Sequence, residues 1–132
     1  MNIVFDGDLR EPEIKISGEP WELRELGTAL LDMRDRCTIE SERTTDRYYP
    51  ELLDGLTFEL ENMGNEEPLL AVTLSRDYLI FKGPAEGFRR LGQSLLNVFP
   101  EQAPQGTHMH LDYFEGNDLL APTSCHLIFE SK

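Results

Sequence analysis

The residues best suited to chemistry lie near the C-terminal end of the chain. His108-x-His110-x-Asp112 places two imidazoles and a carboxylate at alternate positions, and His126 and Glu130 follow in the last apolar run. On a strand, alternate side chains project from one face about 7 Å apart. Imidazole and carboxylate together suit a divalent metal of nitrogen and oxygen preference, or proton transfer between an acid and a base. Three protein ligands at about 2 Å would be required for a catalytic metal, and this spacing permits that set without demanding it. The same alternation is what a half-exposed strand shows when it presents a charged, hydrogen-bonding recognition surface. A carboxylate beside an imidazole favours its protonated form.

Other catalytic arrangements are absent. Ser94, Ser124 and Ser131 stand in no GxSxG elbow, and neither GxGxxG nor GxxxxGK occurs. Cys125 alternates with His126 and so turns toward the core. Cys37, between Arg36 and Thr38 and near Arg34, reads as structural. The two cysteines form no CxxC, which fits a reduced, cytoplasmic chain without a disulfide framework. No cofactor is expected.

The elements that must position these residues come in two copies. GEPWELRELGTALLDM, from Gly18, aligns without gaps on GPAEGFRRLGQSLLNV, from Gly83, with six of sixteen positions identical. Ordinary composition gives about one such identity by chance. In the first copy Leu23, Leu26, Leu30 and Met33 recur at helical spacing, and in the second Phe88, Leu91, Leu95 and Val98 do the same. Pro20 and Pro84 suit the first turn of each helix. Gly27 and Gly92 fall on the apolar stripe, where glycine costs about 1 kcal/mol relative to alanine. Its repetition there predicts close packing of helix on sheet or helix on helix. Trp21 reads as a packing anchor.

Strands are expected at Glu13–Gly18 and Tyr78–Gly83 before the helices, and at Gly55–Glu61 and Gly106–Asp112 after them. Further strands follow at Leu69–Ser75 and Ser124–Glu130, with an additional one at Asn2–Phe5. The predicted fold is α+β: one antiparallel sheet with two helices on one face, in tandem duplicated βαββ units. The 132 residues form a single domain of two pseudo-repeats, about 1–77 and 78–132. Residues 34–54 read as a long charged loop with a short extended piece near Thr38, ending in Tyr48-Tyr49-Pro50; its counterpart is taken as Pro100–Gln105. Period two sends Phe58, Leu60, Met109, Leu111, Leu70, Val72, Leu74, Leu127 and Phe129 inward. The opposite, uncovered face then carries Thr57, Glu59, Glu61, His108, His110, Asp112, His126, Ile128 and Glu130.

Charge narrows the partners. Twelve basic side chains against 25 acidic ones give a net charge of −13. That disfavours nucleic acid and an anionic membrane, both of which need a basic surface. No apolar run approaches the 18 or so residues of a membrane span, and the acidic start MNIVFDGDLREPE is unlike a leader. Seventeen acids and seven bases fall in residues 1–66, so the first half carries most of the negative charge and would steer a basic protein partner. The candidate contact residues are Glu59, Glu61, His108, His110, Asp112, His126 and Glu130 on the open face. In the loop they are Tyr48 and Tyr49, with Glu40, Glu42 and Asp46 around them.

The second half, over about residues 79–131, resembles the immunity protein 32 family of bacterial polymorphic-toxin systems. The likeness lies in the glycine-started helix GPAEGFRRLGQSLLNV, the strand GTHMHLDY and the final TSCHLIFE. The resemblance implies a cytosolic antidote that binds and neutralises a cognate protein toxin, without catalysis. The long 34–54 segment departs from the pattern and is a place for partner specificity. Two other readings stay open on the residues alone. One is a metal-dependent or acid/base enzyme on His108, His110, Asp112 and His126. The other is a structural module that pairs with itself as a homodimer.

Overall fold

A computed structural model describes residues 1–61, 69–113 and 116–132. Along the chain run β1 (Asn2–Phe5), β2 (Glu13–Gly18), α1 (Pro20–Leu31), β3 (Arg36–Glu40), β4 (Glu51–Leu52) and β5 (Gly55–Leu60). The chain continues with β6 (Ala71–Ser75), β7 (Tyr78–Gly83), α2 (Ala85–Val98), β8 (His108–Leu111) and β9 (His126–Ser131). Pro20 opens α1, where its missing N–H costs nothing, and the Glu22 carboxylate accepts the Glu19 N–H at 3.0 Å.

The α+β class and the doubled β-α-β-β unit hold, but the strands form two sheets rather than one layer. The first sheet has the order β4-β1-β2-β9-β8 and the second β3-β5-β7-β6. Each contains one parallel pair, β2 with β9 and β5 with β7, and each such pair takes one strand from either half. The remaining pairings are antiparallel. The halves therefore interlock: each one's last strand completes the sheet begun by the other's first. Strand order of this kind depends on where a crossover lands, which local periodicity does not encode.

The register also corrects which strands correspond. Glu13 lies opposite His126, and Tyr78, its equivalent in the second helix unit, lies opposite Gly55. The counterpart of β5 is thus β9, not β8, and Leu56-Thr57-Phe58-Glu59 superposes on Leu127-Ile128-Phe129-Glu130. By the same logic β3 answers to β8. The extended piece expected near Thr38 is the regular strand β3, and a second part of 34–54, β4, borders β1. The connections that correspond are 41–54 and 112–125, rather than 34–54 and Pro100–Gln105. The expected strand at Leu69–Ser75 starts inside the described residues and forms from Ala71. Parts of the 34–54 counterpart and of the link after Glu61 lie outside the described residues.

Ile14, Ile16, Met109, Leu127 and Phe129 of the first sheet and Leu56, Phe58, Val72, Leu79 and Phe81 of the second join one apolar core. The helical stripes Leu23–Leu26–Leu30 and Phe88–Leu91–Leu95 complete it. Phe58 stacks on Phe81 at 4.7 Å between ring centres and meets Phe88 edge-on at 6.2 Å. Leu60, expected inside, is 37% exposed because it ends its strand. Of the two packing modes open to Gly27 and Gly92, the structure has helix on helix. A Cβ on Gly92 would stand 2.4 Å from the Gly27 carbonyl oxygen, and one on Gly27 3.0 Å from that of Gly92. Arg24 of α1 donates to the carbonyls of Leu96 and Phe99 at 3.1 and 2.9 Å, satisfying the end of α2.

Candidate functional site

The outer face of the first sheet carries the histidines. In the ladder His108 lies opposite Glu130 and His110 opposite Ile128, while Lys15 flanks Ile128 from β2. All three imidazoles are exposed. His108 and His110 stand edge to face, 5.0 Å between ring centres, and His126 Nδ1 lies 2.8 Å from Asp112 Oδ1. His108 Nδ1 is 3.1 Å from the Gly106 carbonyl. The four residues considered as metal ligands thus divide into two pairs. Among the described residues no group of three histidine, cysteine, aspartate or glutamate side chains is placed to hold a metal ion.

The β1–β2 side of that face is covered by residues 43–50. Lys15 Nζ forms an ion pair with Asp46 and approaches Glu130 at 3.8 Å. The Tyr49 hydroxyl donates to Glu13 Oε1 at 2.7 Å, and its ring centre is 5.1 Å from Lys15 Nζ. Asp46 Oδ1 accepts the Tyr48 and Tyr49 N–H groups at 2.9 and 3.2 Å, an Asx turn that fixes the strap. Val4, on the outer side of β1 between Lys15 and Leu52, is only 2% exposed. The Lys15 ammonium, hydrogen-bonded to Asp46, holds that carboxyl below the usual carboxylate range despite its partial burial. Burial and then the hydrogen bond to Glu13 push the Tyr49 phenol well above its ordinary range, so it stays a donor.

The two tyrosines therefore part company. Tyr49 folds back onto the sheet, whereas Tyr48 projects with 74% of its surface exposed and the Arg47 guanidinium 5.7 Å from its ring. Asp6 and Glu13 add negative charge beside the strap, as the tyrosine's electrostatic neighbours show. Leu9, at the nearby β1–β2 turn, is 78% exposed.

Glu59 and Glu61 do not share this face, contrary to the single uncovered layer expected. Glu59 belongs to the second sheet, 3.5 Å from Arg36 and 3.7 Å from Lys82, and Glu61 lies just past the end of β5. They were separated when the strands divided into two sheets. Glu130, the counterpart of Glu59, stays with the histidines, as Asp112 does.

Trp21 is not a packing anchor: it is 63% exposed. It precedes Leu23 by two residues, about 200° round a helix, and so faces away from the apolar stripe. That signal was present in the sequence. Cys125 is buried, and burial pushes its thiol up, away from the reactive thiolate. Among the described residues no helix is long and apolar enough to cross a membrane.

No curated protein and no solved structure matches the chain. A family model does, and it does so twice, with its second match starting 65 residues after the first, the same offset that lays Gly83 on Gly18. Over residues 13–67 and again over 78–132, the chain belongs to the family described as immunity protein 32.

Proposed function

We propose that this protein is a cytoplasmic antidote that binds a cognate protein toxin and blocks it, without catalysis of its own. The observation that carries the reading is the double match to an immunity-protein family. In this reading the 132 residues act as one binding domain built from two pseudo-repeats, about 1–77 and 78–132.

The contact surface we assign is the outer face of the first sheet with its strap. Tyr48 supplies an exposed aromatic anchor. His108, His110, His126 and Asp112 supply a polar surface open to solvent, and Glu130 and Tyr49 lie between the two. Such a mixture of one aromatic and many polar groups is what the centre and rim of a specific interface contain. Glu59 and Glu61 fall to the second sheet and its end, outside that patch. The net charge of −13 favours a basic toxin, whose approach it would accelerate and whose association rate would fall with added salt.

The test uses a toxin domain encoded beside this chain, inactivated by mutation, and titration calorimetry. Binding with a dissociation constant in the nanomolar range is expected, comparable with other specific complexes. Tyr48→Ala should weaken it by roughly thirtyfold, the size of an anchor residue's contribution. Failure of every adjacent toxin candidate to bind would overturn the function. Binding that ignores Tyr48→Ala and the His108→Ala/His110→Ala pair would leave the function standing and move the surface elsewhere.

A further inference from the structure

The second sheet ends in two strands, and they are treated differently. At β6 the chain closes its own edge: the Cys125 N–H donates to the Val72 carbonyl at 2.8 Å, and the Val72 N–H to Ser124 Oγ at 3.1 Å. At β3 no described residue does so between Arg36 and Glu40; just beyond, the Glu42 N–H donates to the Met1 carbonyl at 2.8 Å, so the open stretch is those five residues. The Leu60 N–H donates to the Asp35 carbonyl at 2.9 Å, and the Ser41 N–H to the Asp54 carbonyl at 2.8 Å, at the two ends of the β3–β5 ladder. Antiparallel ladders alternate, so Cys37 and Ile39 bond inward to β5, while the N–H and C=O groups of Arg36, Thr38 and Glu40 point away from the sheet.

From this edge we propose that β3 pairs antiparallel with β3 of a second copy of the chain, on a two-fold axis through Thr38. The order Arg36-Cys37-Thr38-Ile39-Glu40 is its own complement in that register. Arg36 then faces Glu40 of the second copy at both ends, Thr38 faces Thr38, and Cys37 faces Ile39. Opposite charges directly across a strand pair stabilise it, and like charges oppose it. A parallel pairing in register would set Arg36 on Arg36 and Glu40 on Glu40, so the charges select one orientation. Charge normally protects an exposed edge from pairing; here its placement directs the pairing instead.

Apolar surface accompanies the edge. A groove of about 360 Å³ runs between α1 and β3, with Trp21, Leu26, Ala29, Cys37 and Ile39 in its lining. In the other half residues 116–118 stand beside the corresponding stretch of α2, where Arg90, Tyr113 and Asp118 line a cavity of similar volume, about 360 Å³. Arg90, which answers to Glu25 of the groove, donates to the Asp118 carbonyl at 2.9 Å, and Leu120 nearby is buried. The uncovered groove and the unclosed edge therefore lie side by side, as an isologous interface requires. A five-residue strand with one groove falls at the small end of interface sizes, so the dimer is a weak one, of micromolar strength. Because each copy carries −13, the pairing is measured at about 0.15 M salt or above, where the Debye length is down to about 8 Å. None of this rests on the toxin-binding reading.

Sedimentation equilibrium from about 10 to about 500 μM, a span of about 2.3 kcal/mol in dilution free energy, should show the mass climb from 15.1 kDa toward twice that. Thr38→Pro deletes the N–H at the axis, which points outward, and should return a monomer with an unchanged thermal transition. In a Cys37→Ser background, Thr38→Cys should cross-link between copies on mild oxidation, since paired Cα atoms about 5.5 Å apart suit a disulfide. Glu40→Arg should weaken the dimer at least tenfold, and adding Arg36→Glu should recover it. A monomer at every concentration overturns the proposal. So does a dimer that tolerates Thr38→Pro and yields no cross-link. A monomer whose toxin binding is lost on Thr38→Pro would give the edge to the toxin, and would equally overturn self-pairing.

Discussion

The two sheets are assembled from equivalent strands in equivalent register, and their inner and outer faces have diverged to very different degrees. Inside, Leu56 and Phe58 of the second sheet repeat as Leu127 and Phe129 of the first, all buried in the shared core. Outside, the row Thr38–Thr57–Ile80 of the second sheet answers to His110–Ile128–Lys15 of the first. The connections differ as well. Residues 43–50 fold over the outer face of the first sheet, whereas 116–118 lie against Arg90 of α2. Even the repeated arginine has two uses: Arg24 caps the end of α2, while its counterpart Arg89 pairs with Glu86 within its own helix. Close packing admits few side chains at an inner position, because volume and shape must both fit. An outer position is limited only by solubility and by what it must bind. The outer faces are therefore freer to diverge than the inner ones.

The strongest attack on that comparison is to empty equivalent inner positions. Phe58→Ala should cost about 4 kcal/mol and Phe129→Ala about 3, both in the range for buried phenylalanine. The excess at Phe58 reflects its two ring contacts, with Phe81 and Phe88. Urea unfolding measures both, and equal losses, or a larger one at Phe129, would show that the halves are not energetically offset in this way.

The helix crossing offers a finer contrast. Gly92→Ala should destabilise by about 2 kcal/mol and Gly27→Ala by about 1, from overpacking that the gain in helix propensity offsets in part. The order follows from the 2.4 and 3.0 Å approaches of a Cβ to the opposing carbonyls. Equal melts for the two variants would mean that the helices separate freely at the crossing.

The strap is the most local difference and carries the smallest effect. Tyr49→Phe removes the hydroxyl bonded to Glu13 and should cost about 1 kcal/mol. Faster amide exchange over 43–50, with β8 and β9 unchanged, is the expected signature; exchange that spreads to β8 would tie the strap to the histidine strand. Acid should loosen the same strap. Lys15 holds the folded-state carboxyl of Asp46 below its unfolded value, so the unfolded chain binds the proton more readily. The pair's stabilisation is fully present above the ordinary carboxylate range and disappears as pH falls through the lowered value. Lys15→Met should flatten that acid limb in melts taken from pH 6 downward, about two pH units of which bracket the carboxylate range. An acid limb of unchanged slope would assign it to other carboxylates.

Much of this architecture is legible locally. The two helices, their apolar stripes, the close approach at Gly27 and Gly92, and the outward aspect of His108, His110 and His126 all follow from periods of 3.6 and 2. The first helix units were also matched in sequence, Gly18 on Gly83. For the later strands an initial glycine, Gly55 against Gly106, is a misleading guide, and Leu-x-Phe-Glu at 56–59 and 127–130 is the true one. Packing retains the latter, since Phe58 and Phe129 fill the core. Of the candidate contact residues, Glu59 and Glu61 join the histidines only if the sheet is a single layer, and local sequence does not distinguish Tyr48 from Tyr49. Exposure separates the second pair, through a turn fixed by Asp46.

What the sequence by itself determined is the repetition, the helical and extended segments, and the side of each strand that avoids water, because these depend on neighbours a few residues apart. Only the tertiary structure decided that each half finishes the other's sheet, that β3 is left as an edge, and that Tyr49 lies over Lys15. Those outcomes turn on which distant strand a crossover reaches and which side chains meet there. That choice is made by the closure of a shared core, and no window along the chain contains it.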